Sequence, residues 1–199
     1  QPQINEKPRP RVDVQNLHAY KAPLEGRRQL LWLDFNENTV GPSPLVVSAL
    51  RKIPADHISI YPEYNGLREE LIANLRSTNS CRNLTTDKIG VFNGVDAAIH
   101  AIFHAYGERN DLLVTTKPTF GYYTPCAHMQ GMKIMAISYE GAKLGFPLQK
   151  LQEAIQDNKP KLVLICNPNN PTGTRLDPQK LVALATNAPN TLVVVDELY

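Results

Sequence analysis

Apolar and polar positions alternate in blocks along the second half of the chain. From residue 89 onward, IGVF (89–92), LLVTT (112–116), KIMAIS (133–138), KLVLIC (161–166) and TLVVVD (191–196) are short runs rich in β-forming residues and nearly continuous in apolar ones. Strands buried on both faces read this way. Between them lie segments of helical period. Residues 95–106 place Val95, Ile99, Ile102, Phe103 and Tyr106 at helical spacing, with Gly107 placed to close the helix. Residues 178–187 start with Asp177 as a cap and Pro178 in the first turn. The alternation predicts βαβ units, hence an α/β fold with a mostly parallel sheet and helices on both faces.

Residues 1–88 carry two helix candidates and no strand of comparable strength. Ser43 followed by Pro44 opens a helix to about Lys52, and the segment 67–76 sets Leu67, Leu71, Ile72 and Leu75 on one face. Between them HISIYPEYNG (57–66) reads as a polar and aromatic loop. The opening QPQINEKPRPRVDVQ is polar and proline-rich, an extended and mobile arm rather than a signal peptide. With Gln1 in first place, the start is expected to be trimmed or engineered.

Composition narrows the function classes. A chain of 199 residues with 42% hydrophobic content suits one or two soluble domains. A net charge of +2 is too balanced for nucleic acid or an anionic membrane as main partner. No apolar run approaches the ~20 residues of a membrane span, and a cytoplasmic location is expected. Cys81, Cys126 and Cys166 are far apart and odd in number, so three reduced thiols are expected rather than a disulfide framework. Of His18, His57, His100, His104 and His128, only His100 and His104 share helical spacing; no third ligand completes a set, and no metal is predicted.

The strand ends carry the candidate chemistry, because ligands of a parallel sheet collect at its carboxyl edge. LICNPNNPTG (164–173) drives a buried strand into a loop stiffened by Pro168 and Pro171, where an amide such as Asn170 is held rather than floppy. An ordinary turn is the plainer explanation of this motif taken singly. TLVVVDELY (191–199) sets Asp196 after an apolar run, where a carboxylate loses hydration and needs a cation, a donor or a metal; a lone aspartate there is more often a helix cap. FNGVDAAIHAIF (92–103) turns at Gly94 into a helix whose first N–H groups, at Val95 and Asp96, form an anion site. KPTFGYYTP (117–125) places Phe120 just past a strand end, in position to stack on a flat heterocycle or simply to pack in the core. Together the four describe a planar ligand with a phosphate, a ring oxygen for Asn170 and Tyr199, and a basic ring nitrogen for Asp196. Pyridoxal 5′-phosphate meets all four demands.

Six motifs in one order carry a resemblance: NENTVGPS (36–43), IYPEYNGLREEL (60–71), FNGVDAAI (92–99), KPTFGYY (117–123), CNPNNPTG (166–173) and VVDELY (194–199). The chain resembles the fold-type I pyridoxal-phosphate aminotransferases, and within them the histidinol-phosphate aminotransferases, over residues 33–199. The resemblance implies an arm at 1–32, a segment of the small domain and interdomain region at 33–88, and the first part of the cofactor-binding large domain at 89–199, incomplete in this chain. It implies that Asn170 and Tyr199 bind the cofactor's phenolic oxygen and that Asp196 pairs with its pyridine nitrogen. Phe120 would stack on the ring, and Gly94, Val95 and Asp96 would hold the phosphate. Tyr61 would reach the phosphate of a partner subunit in a homodimer with shared sites. It also implies that the Asn170–Pro171 bond is cis.

The implied reaction moves an amino group from a small-molecule donor, histidinol phosphate of histidine biosynthesis, to a 2-oxo acid such as 2-oxoglutarate. Departures from the family pattern are Thr39 and Val40 where Pro and Tyr are usual, Ala97 where an acid is usual, and Phe120 for the commoner Tyr. The first of these leaves the donor unspecified. The family's cofactor-anchoring lysine is expected beyond Tyr199, so the protein is expected to continue by well over ~100 residues and this chain by itself to be inactive. Two other functions stay open: an aromatic aminotransferase or threonine-phosphate decarboxylase of the same fold, and a non-catalytic α/β module that binds phosphate or nucleotide.

Overall fold

The computed structural model describes residues 7–17, 25–64, 66–78, 81 and 83–199. His18 and the first six residues of the expected arm lie outside the described residues. Contacts divide the chain into two units, one of residues 1–18 with 92–199 and one of residues 19–91, so the expected arm falls in both.

In the larger unit, Val12–Gln15 (α1) is a single helical turn. It is followed in space by α5 (Val95–Tyr106), β1 (Leu112–Lys117), α6 (Tyr123–Met129) and β2 (Lys133–Ser138). Then come α7 (Leu148–Asn158), β3 (Leu162–Cys166), α8 (Pro178–Thr186) and β4 (Leu192–Asp196). The strands form one sheet in the order β2-β1-β3-β4, every pair parallel. The period of two sorts each strand's side chains onto two faces. Leu113, Leu162, Leu164 and Cys166 pack with Ile99 and Phe103 of α5 and with Tyr123, Cys126 and Ala127 of α6. Val114, Val163 and Ile165 pack on the other face with Leu151 and Ile155 of α7 and Leu181 and Leu184 of α8. Each fully buried Leu, Val or Phe contributes about 1.5–3 kcal/mol, so β3, buried along its whole length, is the keel of the unit.

Local signals act as expected at several helix ends. Asp177 accepts the Gln179 N–H at 2.7 Å and caps α8. Gly107 closes α5, though not through a positive φ: its φ is −90°, and a Cβ there would stand 2.7 Å from Met132 Sδ and 2.8 Å from Phe103 O. Glycine is needed at 107 for space. The arm differs from an extended segment in its last part. Arg11 donates to Met129 O, and Asp13 pairs with Arg109 at 2.5 Å, so α1 lies against α6.

One expected strand is absent. Ile89–Phe92 forms no strand, because strand formation needs a partner and no described segment lies alongside it. Val91 and Phe92 are half exposed.

In the smaller unit, α2 (Pro44–Arg51) is capped by Ser43, and α4 (Leu67–Thr78) buries Ile72. The loop expected at 57–66 begins inside a helical turn, α3 (Asp56–Ser59), and its Asn65 lies outside the described residues. The Arg27 guanidinium pairs with Asp34 at 2.7 Å and Glu37 at 2.5 Å, over the rings of Trp32 and Phe35. Its hydrogen bond holds the Asp34 carboxyl below the usual carboxylate range.

Candidate active site

The strand order reverses between β1 and β3: β2 lies outside β1, and β4 outside β3. Such a switch point opens a crevice at the carboxyl ends of the two central strands. The loops that leave β1 and β3 meet there. Thr119 Oγ1 donates to Asn169 Oδ1 at 2.7 Å, and Asn169 Nδ2 donates to Pro118 O at 3.0 Å. The Lys117–Pro118, Asn167–Pro168 and Asn170–Pro171 bonds are all cis.

The asparagines of the loop after β3 divide into two kinds. Asn167 is buried; its amide donates to Leu176 O at 3.1 Å and accepts from Leu176 N at 2.7 Å. Asn169, also buried, spans to the β1 loop and donates to Thr172 Oγ1 at 2.7 Å. Both are consumed in holding the loop. Asn170 is half-buried, and its Nδ2 donates to the Tyr199 hydroxyl at 2.6 Å. One amide N–H and the phenol O–H remain to converge on a ligand oxygen.

Asp196 closes β4 and is 5% exposed. Oδ2 accepts the Tyr123 hydroxyl at 2.7 Å and Oδ1 accepts the Leu198 N–H at 3.1 Å. Among the described residues no cation pairs with it. Burial, then the bond to Asp196, holds the Tyr123 phenol far above its ordinary pKa, so it stays a donor. Burial also pushes the Cys126 thiol up to about 11 and raises that of Cys166, so both sit as neutral thiols.

Phe120 is half-buried, meets Tyr123 edge-on at 5.6 Å, and packs on the same core cluster as Val95 at the start of α5. Gly94, at φ 82°, turns the chain into α5 with no side-chain cap, and Asp96 is exposed. The helix start and the stacking candidate therefore share one face of the sheet. Tyr61 belongs to the smaller unit and is 97% exposed, which excludes local packing of its ring.

Residues 28–199 match the family described as aminotransferase class I and II. The chain belongs to the class I and II aminotransferases. Among relatives in that family, a histidinol-phosphate aminotransferase of Symbiobacterium thermophilum is 36% identical over 177 residues, covering 87% of this chain and 46% of the relative. A dihydroxyacetone phosphate transaminase of Campylobacter jejuni is 27% identical over 171 residues, covering 85% and 45%. A solved histidinol-phosphate aminotransferase from Sinorhizobium meliloti, in complex with pyridoxal-5′-phosphate, superposes with a TM-score of 0.82 at 23% identity, over 98% of this chain and 52% of that one. The last likeness establishes the fold. The chain spans about half the length of the aminotransferases it matches.

Among the described residues no cluster of three or more His, Cys, Asp or Glu fits a metal ion, and no helix is long and apolar enough to cross a membrane. His100 and His104 are exposed and stack with each other on α5. Three residues that brace the candidate site, Tyr123, Asn167 and Asn169, escaped sequence reasoning. Tyr123 was hidden because Gly121 just before its helix and Pro125 within it punctuate the segment, although Tyr123, Cys126 and Ala127 form an i, i+3, i+4 apolar stripe, and Pro125 sits in the tolerant first turn. Asn167 and Asn169 carry no signal that separates them from Asn170; only burial does.

Proposed function

We propose that this chain supplies the front part of a pyridoxal-phosphate-dependent aminotransferase. The complete protein would move an amino group between histidinol phosphate and a 2-oxo acid such as 2-oxoglutarate. Residues 33–88 would belong to its small domain and interdomain region, and the protein would act as a cytoplasmic homodimer. One observation carries the reading: a buried carboxylate, Asp196, stands near the Asn170–Tyr199 pair with two neutral donors and, among the described residues, no cation. A buried charge in that state is incomplete, and a protonated pyridine nitrogen completes it. The donor set thus fits pyridoxal 5′-phosphate.

Bound there, the cofactor supplies an electron sink for the substrate's α-carbon. Asp196 would hold the proton on the ring nitrogen. Asn170 and Tyr199 would donate to the phenolic oxygen and fix the ring's tilt. Phe120 would cover one ring face and exclude water from it. Gly94 gives the backbone room to approach an anion, and the N–H groups of Val95 and Asp96 would receive the phosphate with the positive end of α5 behind them. Tyr61, exposed in this chain, would serve the phosphate of a partner subunit.

The match to a dihydroxyacetone phosphate transaminase supports a second donor–acceptor pair, since Val40 leaves the substrate side unspecified. The test is made on full-length protein loaded with pyridoxal phosphate. Histidinol phosphate should bleach its visible absorption and 2-oxoglutarate restore it. Protein that binds no pyridoxal phosphate would overturn the cofactor assignment; protein that binds it but responds only to another donor would overturn the substrate.

A further inference from the structure

We infer that Tyr123 is a positioning residue for Asp196, its phenol O–H holding the carboxylate in the orientation that keeps the cofactor's ring nitrogen protonated. The inference rests on the proposed cofactor site and adds to it a residue in no direct contact with substrate.

The geometry is specific. Tyr123 is 1% exposed and its hydroxyl lies 2.7 Å from Asp196 Oδ2. The ring cannot swing. It sits at the start of α6, within the cluster that includes Ile99, Phe103, Leu164 and Cys166, with Phe120 edge-on at an interplanar angle of 77°. The direction of the O–H is therefore set by core packing. The Leu198 N–H holds the other carboxylate oxygen at 3.1 Å. Two donors on different elements, α6 and the segment after β4, thus fix the plane of the carboxylate and leave lone pairs on both oxygens for a third partner.

A purely structural tie would not look like this. A buried phenol needs an acceptor, and a neutral backbone carbonyl satisfies it without burying a charge. Here the acceptor is a carboxylate with no cation among the described residues. The phenol serves the carboxylate rather than the reverse, because the charge is the costlier group to bury. Removal of the O–H leaves Oδ2 unpaired in a dry site and frees the carboxylate to turn away from the ring nitrogen. Oriented supporting groups of this kind typically change activity by about 10–100-fold when lost.

The experiment uses full-length protein loaded with pyridoxal phosphate labelled with 15N in the ring. Tyr123→Phe keeps the aromatic ring and its contact with Phe120 while deleting the hydroxyl. The nitrogen NMR signal should move from the protonated toward the neutral position, and kcat should fall about 10–100-fold with KM for the amino donor changed less than about twofold. A lowered melting temperature with the nitrogen signal and kcat unchanged would show that Tyr123 only packs, and would overturn the inference while leaving the proposed function standing. Wild-type protein that fails to bind the cofactor would overturn both. Should Tyr123→Phe not fold, 4-fluorophenylalanine at position 123 fills the space of the hydroxyl without its donor; a nitrogen signal and kcat identical to wild type would then overturn the inference, and a signal displaced toward the neutral position would support it.

Discussion

Asn167→Ala should destabilise the full-length protein by about 2–6 kcal/mol, whereas Asn170→Ala should cost about 1 kcal/mol and weaken the cofactor's hold instead. The two residues lie three positions apart in one loop, and the difference follows from where their partners sit. Asn167 and Leu176 are each 5% exposed, and the Asn167 amide satisfies both the N–H and the C=O of Leu176. Truncation leaves two buried backbone groups unpaired, each costing ~1–3 kcal/mol when no water reaches it. Asn170 makes a single bond to a hydroxyl on a residue 41% exposed, which water replaces readily. Urea unfolding followed by circular dichroism reads the first effect as a midpoint lowered by on the order of 1 M at unchanged slope. Fluorescence titration with pyridoxal phosphate reads the second. Equal losses of stability in the two variants, or a lower midpoint for Asn170→Ala than for Asn167→Ala, would refute the division of labour drawn from burial.

Asp196→Asn in the full-length protein should still bind the cofactor yet lose several orders of magnitude in kcat, on the order of 3–6 kcal/mol of barrier; near-normal turnover would make Asp196 a structural cap. Cys81 is exposed while Cys126 and Cys166 are buried with raised thiol pKa values, so a disulfide reagent at pH 8 should modify Cys81 at once and the other two only on unfolding. Because burial favours the neutral thiol of Cys126, the unfolded chain ionises first, and stability should fall as pH rises from about 9 toward about 11. Mixing a Tyr61→Ala variant with an Asp196→Ala variant should restore up to about half the wild-type activity per mixed dimer if the site is shared; no recovery despite confirmed subunit exchange would end the shared-site proposal.

The central strands β1 and β3 were legible because they are buried on both faces, so their letters leave little choice, whereas the outer strands β2 and β4 are only partly buried and were read from their apolar runs. LVLIC is apolar at every position, and all five of its residues are buried. IGVF has the same local character and failed, since a ladder is a property of two segments and among the described residues none pairs with it. Helix ends written in side chains, Ser43 and Asp177, were legible for the same local reason. α6 was not, because Gly121 before it and Pro125 in its first turn spoke louder than its three-residue stripe.

Roles were harder to read than elements, because a role depends on what a side chain faces after folding. Three asparagines in NPNN are one letter with two fates: parity and burial turn Asn167 and Asn169 inward to tie backbone, while Asn170 is left with a donor to spare. Asp196 was readable as a charge in need of a partner, since a carboxylate at the end of an apolar run is costly wherever it lies. What it needed could be narrowed only when the fold put Tyr123 and Leu198 on it as neutral donors and, among the described residues, no cation beside it. Glu37 shows the converse: it stands inside the conspicuous NEN motif, yet its carboxylate is engaged by Arg27, so its visibility in the sequence reflects the build of a turn. A motif therefore marks where geometry is demanding, and it takes the hydrogen-bond ledger of the folded chain to tell a demand of chemistry from a demand of the backbone.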